Sequence, residues 1–121
     1  MASIVNQYGT ATNSGAATRA NLAAATFTVP TGRRLMVTEV YFMTDDATGG
    51  FVYLTTGAGG LVAANDVFAA GVLVAAPTLH WKFANPIQFA AGTVVTLDAE
   101  QTASGAGVVT HAGWNGYIQN A

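Results

Sequence analysis

The sequence predicts an all-β protein: an antiparallel β-sandwich, jelly-roll-like, with about eight short strands and an extended N-terminal arm. Three observations predict it. Clusters of Gly, Pro, Asn and Asp interrupt the chain roughly every ten residues, the spacing of turns in a sandwich. Between them, Val, Phe, Thr and Leu alternate with polar residues at the two-residue period of a strand. Helix signals are nearly absent: Ala20–Ala25 would suit one helical turn, but the Thr and Asn around it disfavour that reading.

Taken in order, residues 1–25 are Ala, Thr, Asn, Ser and Gly, with Ile4, Val5, Tyr8 and Leu22 as the large apolar anchors. They read as an extended arm, ordered by the surface it lies on, and residues 26–121 as the sandwich. Thr26–Val29 alternates, and Pro30-Thr31-Gly32 turns. Arg34–Thr44 is the longest strand. Unbroken alternation puts Leu35, Val37, Glu39, Tyr41 and Met43 on one face and Met36, Thr38, Val40, Phe42 and Thr44 on the other. Both faces are then largely apolar, and such a strand wants cover on both sides.

Asp45–Gly50 is a turn cluster, followed by a strand over Phe51–Thr56 and a glycine break at 57–60. Leu61–Ala64 and Val67–Val74 are short segments parted by Asn65-Asp66, and Pro77 closes the region. Leu79–Phe83 is a strand ended by Ala84-Asn85-Pro86, and Ile87–Phe89 and Val94–Asp98 flank the Ala90-Ala91-Gly92 turn. Val108–Gln119 supplies one bent strand or two. The run from Phe27 through Gly32 to Val37 shares its spacing with the run from Ile87 through Gly92 to Leu97, which suits two equivalent corners of a sandwich.

Composition narrows function. Only 8% of the residues are charged while 51% are hydrophobic, against about 25% charged in an average soluble domain. A folded chain of this mass exposes about 6,000 Å², so ten charges leave it thinly charged. A surface largely covered by other subunits, with a neutral polar coat elsewhere, reconciles the two. The net charge of −2 offers no footprint for nucleic acid or anionic membrane. The most apolar window, Leu61–Leu79, is cut by Asn65, Asp66, Gly71 and Pro77 and does not make a transmembrane helix. There are no cysteines, hence no disulfide framework and no thiol chemistry. Met1–Thr10 lacks the basic and apolar regions of a signal peptide.

Catalytic patterns are scarce. His80 and His111 are the only histidines; a dyad with Asp98 or Glu100 has no motif spacing behind it, and both read as strand-surface residues. Ser3, Ser14 and Ser104 lie in no nucleophile elbow, and there is no phosphate-binding loop and no metal-ligand spacing. No cofactor is expected. Asp45, Asp46 and Thr48 offer hard oxygens for calcium, although Asp side chains in turns usually cap their own backbone. Tyr53, Trp81, Trp114 and Tyr117 would stack on sugar rings if they were exposed together.

Assembly fits the residues better. Arg33-Arg34 is the only adjacent cation pair and Asp45-Asp46 the only adjacent acid pair, and two such patches can meet across head-to-tail neighbours. With the arm residues Ile4, Val5, Tyr8, Arg19 and Leu22, and with Trp114 of the aromatic terminal strand, they form the candidate subunit contacts.

The run Thr26–Val40, the segment Asn85-Pro86-Ile87-Gln88-Phe89-Ala90-Ala91-Gly92 and the closing Gly113-Trp114-Asn115-Gly116-Tyr117-Ile118 carry a resemblance. Over about residues 26–119 the chain resembles small β-sandwich structural proteins of tailed bacteriophages, above all capsid decoration, or cement, proteins. That resemblance implies a homotrimer made in the host cytoplasm. It would bind the major capsid protein at local threefold positions outside an icosahedral shell and stabilise the virion, with the arm laid across a neighbour. It implies no catalytic residue, cofactor, nucleic acid or membrane partner. The alternatives are a carbohydrate-binding sandwich, as in a virion adhesin, and a metal-dependent hydrolase around His80, His111 and Asp98.

Overall fold

The computed structural model describes residues 3–12, 19–21, 26–44, 50–56, 66–72, 78–101 and 109–121. They form nine strands: β1 (Ser3–Thr12), β2 (Arg19–Asn21), β3 (Phe27–Thr28), β4 (Arg33–Thr44), β5 (Gly50–Thr56), β6 (Asp66–Val72), β7 (Thr78–Phe89), β8 (Val94–Gln101) and β9 (Val109–Asn120). No helix among the described residues is long and apolar enough to cross a membrane.

Sheet I has the order β1-β9-β4-β7, and sheet II the order β2-β8-β5-β6 with β3 also on β8. Because β2 lies opposite Asp98–Glu100 and β3 opposite Val94–Val95, they are two pieces of one edge row, and both sheets are four strands wide. All pairs are antiparallel and nested: β1 with β9, β2 and β3 with β8, β4 with β7, β5 with β6. A chain doubled back on itself and rolled in this way is a jelly roll, the expected class.

The segment read as an arm is corrected where it is described. Ser3–Thr12 pairs along its whole length with β9, and Arg19–Asn21 pairs with β8, so both are edge strands of the sandwich itself. Backbone pairing holds β1 to β9, and this leaves little hydrophobic trace in the sequence. Leu22 and the rest of 13–18 and 22–25 lie outside the described residues, as do Asp45, Asp46, Thr48 and Leu61–Ala64.

A second correction concerns β4. Its alternation is broken by one extra residue: Val37 pairs with Gly116 and Glu39 with the next residue, Asn115, leaving Thr38 as a bulge. Leu35 and Val37 face inward before the bulge, and Val40, Phe42 and Thr44 after it, all nearly or wholly buried. Glu39, Tyr41 and Met43 therefore join Met36 on the outside rather than sharing a face with Val37. The demand for cover on two equally apolar faces disappears with the bulge.

Facing β7 answers with a longer irregularity. Ile87 pairs with Val37 and Lys82 with Glu39, so Phe83–Pro86 bow out of the ladder while the strand continues through Asn85-Pro86. Expecting the strand to end there was incorrect; β7 is an edge strand, where a proline without an N–H is tolerated.

The core lies between the sheets. Leu35, Val37, Val40, Phe42 and Trp114 of sheet I meet Val52, Leu54, Val95 and Leu97 of sheet II. The Phe27 ring packs edge-on against Trp114 at 5.8 Å between centroids. At one end the two corners with shared spacing lie side by side. Gly32 and Gly92 both hold positive φ, 74° and 81°, at the third position of turns closed by Arg33 N–H to Pro30 O and Thr93 N–H to Ala90 O. That is the type II position that favours glycine. Val29 joins the corners, donating to Thr93 O at 2.9 Å and accepting from Gly92 N–H at 2.8 Å.

Gly116 sits where β9 comes closest to the bulge. A Cβ there would lie 2.4 Å from Met36 O and 3.1 Å from Val37 Cα, both backbone, whereas one on Gly71 would meet chiefly the movable Phe51 ring, with Gly50 O at 3.2 Å. Gly116→Ala is expected to destabilise the protein by about 1–3 kcal/mol, the usual cost of overpacking, and more than Gly71→Ala. Thermal unfolding of the two variants checks this; equal midpoints would contradict the close approach.

Candidate functional site: the outer face of sheet I

Register places four rows of residues across the outside of sheet I. They are Ile4, Tyr117, Met36, Gln88; then Asn115, Glu39, Lys82; then Gly113, Tyr41, His80; then His111, Met43, Thr78. The second row is polar throughout, and the rows beside it carry thioether, aromatic and aliphatic groups. Ile4 is 84% exposed and Met43 51%.

Glu39 anchors the polar row. Asn115 Nδ2 donates to its Oε1 at 2.6 Å, and the Nε2–H of His80 donates to its Oε2 at 2.6 Å. Thr38 Oγ1 donates to Asn115 O at 3.0 Å, so the bulge residue satisfies the carbonyl beside its own irregularity. The Asn115 hydrogen bond, the His80 hydrogen bond and the positive charges of His80 and Lys82 hold the Glu39 carboxyl below its ordinary value, partial burial opposing them.

Both histidines line one pocket. It holds about 210 Å³ and is walled by Tyr41, Phe42, Met43, Thr78, Leu79, His80 and His111. His80 is thus paired with Glu39, not with Asp98 or Glu100. Asp98 is buried in sheet II, and no group of three or more His, Cys, Asp or Glu among the described residues is placed to hold a metal ion.

The other expected contacts are dispersed. Trp114 is wholly buried, so its assignment to an interface is corrected: β9 is a central strand and the indole faces the core. Val5 packs against that core. Tyr8 stands opposite Gly113 and Arg19 opposite Glu100. Arg33 Nη2 donates to Ile118 O at 3.4 Å. Arg34 donates to Gln119 through Nε and Nη2 at 2.9 and 3.0 Å, with the Gln119 amide turned oxygen-first toward it. Nor do the four aromatics considered for sugar stacking form one platform. Tyr53 tilts against Phe51 on sheet II, Tyr117 belongs to sheet I, Trp114 is buried, and the half-exposed Trp81 packs edge-on against Phe68 at 5.8 Å.

No protein-family model matches the chain, and no curated protein matches it. Among solved structures, a chain in the acid-stable capsid of the Helicobacter pylori bacteriophage KHP30 is similar at TM-score 0.50 and 12% identity, covering 100% of this chain and 95% of that one. A virus-like particle of the extra small virus of the prawn Macrobrachium rosenbergii matches at TM-score 0.27 and 13% identity, covering 99% of this chain and 80% of that one. At these identities the first likeness is one of fold.

Glu39 makes acid stability testable. Its folded pKa lies below its unfolded one, so its contribution is fully present above the unfolded carboxylate range and is lost as pH falls through the lowered folded value. Stability of Glu39→Gln is therefore expected to change less than wild type as pH drops from neutrality to below the ordinary carboxylate range. Denaturant unfolding across that interval checks it; parallel curves would contradict the arrangement.

Proposed function

We propose that the chain is a viral structural protein, a decoration subunit that binds the outside of an icosahedral phage shell as a homotrimer and stabilises it. The observation that carries this reading is the jelly roll, which spans the chain end to end and matches a chain of a phage capsid at nearly full length on both sides.

Two further observations support it. The accessible surface is 5924 Å², and with ten charged residues in the whole chain it is cheap to desolvate over large areas, as a subunit clasped by neighbours requires. The outer face of sheet I sets a polar row between rows that carry Met36, Tyr117 and Tyr41, which suits it to fix the register of a contact as well as to supply area. Major capsid protein is the partner this reading calls for.

Purified protein mixed with mature shells and with procapsids of its virus tests the reading. It is expected to co-sediment with mature shells, not procapsids, and to raise their disruption temperature. Failure to bind either particle would overturn it.

A further inference from the structure

The pocket on sheet I has a size that decides what it takes. Sites for drug-sized molecules run to about 300–1,000 Å³, whereas an apolar cavity of about 150 Å³ takes up a benzene ring. At about 210 Å³ this one fits a single large apolar side chain. Tyr41, Met43 and Leu79 line it beside His80 and His111, and no Asp, Glu, Lys or Arg does.

The chain carries a matching projection. Ile4, at 84%, is the most exposed large hydrophobic among the described residues, and β1, SIVNQYGTAT, has no charged residue. Trp81 and Phe51, also exposed, are already engaged with Phe68 and Tyr53. Ile4 and the pocket lie at opposite edges of one sheet, β1 at one end of its order and β7 at the other. A projection on one edge and a socket on the other make a head-to-tail contact, which closes into a ring when the rotation permits.

We infer that the pocket between β4 and β7 is a socket for Ile4 of a neighbouring copy of this chain, a contact that rests on the trimer reading above and specifies it. No Asp, Glu, Lys or Arg lies on either surface, and His80, which lines the pocket, keeps its hydrogen bond to Glu39. Burying a branched aliphatic side chain is worth about one to two orders of magnitude in affinity.

The chain has no cysteine, so introduced thiols report cleanly. Thr78 is exposed at the pocket rim. Ile4→Cys and Thr78→Cys proteins, mixed in equal amounts and oxidised, are expected to give mainly the mixed disulfide, which requires Cβ atoms within about 4.5 Å. Ile4→Asp is expected to weaken self-association about tenfold or more while leaving the monomer's far-ultraviolet spectrum unchanged. A trimer by sedimentation equilibrium that yields no mixed disulfide, or mainly disulfides between like variants, overturns the socket and leaves the trimer standing. A monomer at every concentration overturns both.

Discussion

One extra residue in β4 governs the arrangement of sheet I. The bulge at Thr38 turns Leu35 and Val37 inward on one side of it and Val40 and Phe42 inward on the other. It is flanked by β9, where Gly116 lets the backbones approach closely, and by β7, which bows out over Phe83–Pro86. Without the shift, the second half of β4 would put Glu39 and Tyr41 into the core and Val40 and Phe42 into water. The site depends on it too: Glu39 meets His80 and Asn115 because the shifted register brings all three to the outer face.

The rest of the sandwich closes around that sheet by simpler means. Nested pairing brings strands distant in sequence together, and the two positive-φ glycine corners, tied through Val29, fix one end. Sheet II closes the core with Val52, Leu54, Val95 and Leu97. Inside it, Thr55 Oγ1 donates to Thr96 O at 3.2 Å. Few charges are needed for such a fold. Of those on the outer face of sheet I, Arg34 meets Gln119, Glu39 meets Asn115 and His80, and Lys82 stands opposite Glu39, an arrangement suited to specifying a contact.

Fold class was legible in the sequence because turn chemistry and two-residue alternation are local. Gly32 and Gly92 announced their corners through shared spacing, and β4, β5, β8 and β9 lie close to where alternation put them. The bulge was not legible: alternation counted through Thr38 looks sound on either side, and only pairing with Gly116 and Asn115 shows the extra residue. Strand β1 escaped notice because its register sets Gln7 and Gly9 opposite Trp114 and Ala112, positions where a stronger apolar signal would be expected. An aromatic terminal strand suits either the middle of a sheet or a subunit contact, and only the pairing of β9 between β1 and β4 places Trp114 in the core. The Glu39 cluster joins residues 41 and 76 positions apart, a juxtaposition that exists only once three strands are in register.

The inward and outward faces of β4 can be measured directly in a chain without native cysteines. Single cysteines at Met36, Val37, Glu39 and Val40 would be titrated with a thiol reagent in the folded protein. The bulge predicts fast reaction at 36 and 39 and strong protection at 37 and 40. Equal reactivity at 37 and 39, the pattern of unbroken alternation, would contradict it and with it the outer face on which the proposed assembly rests.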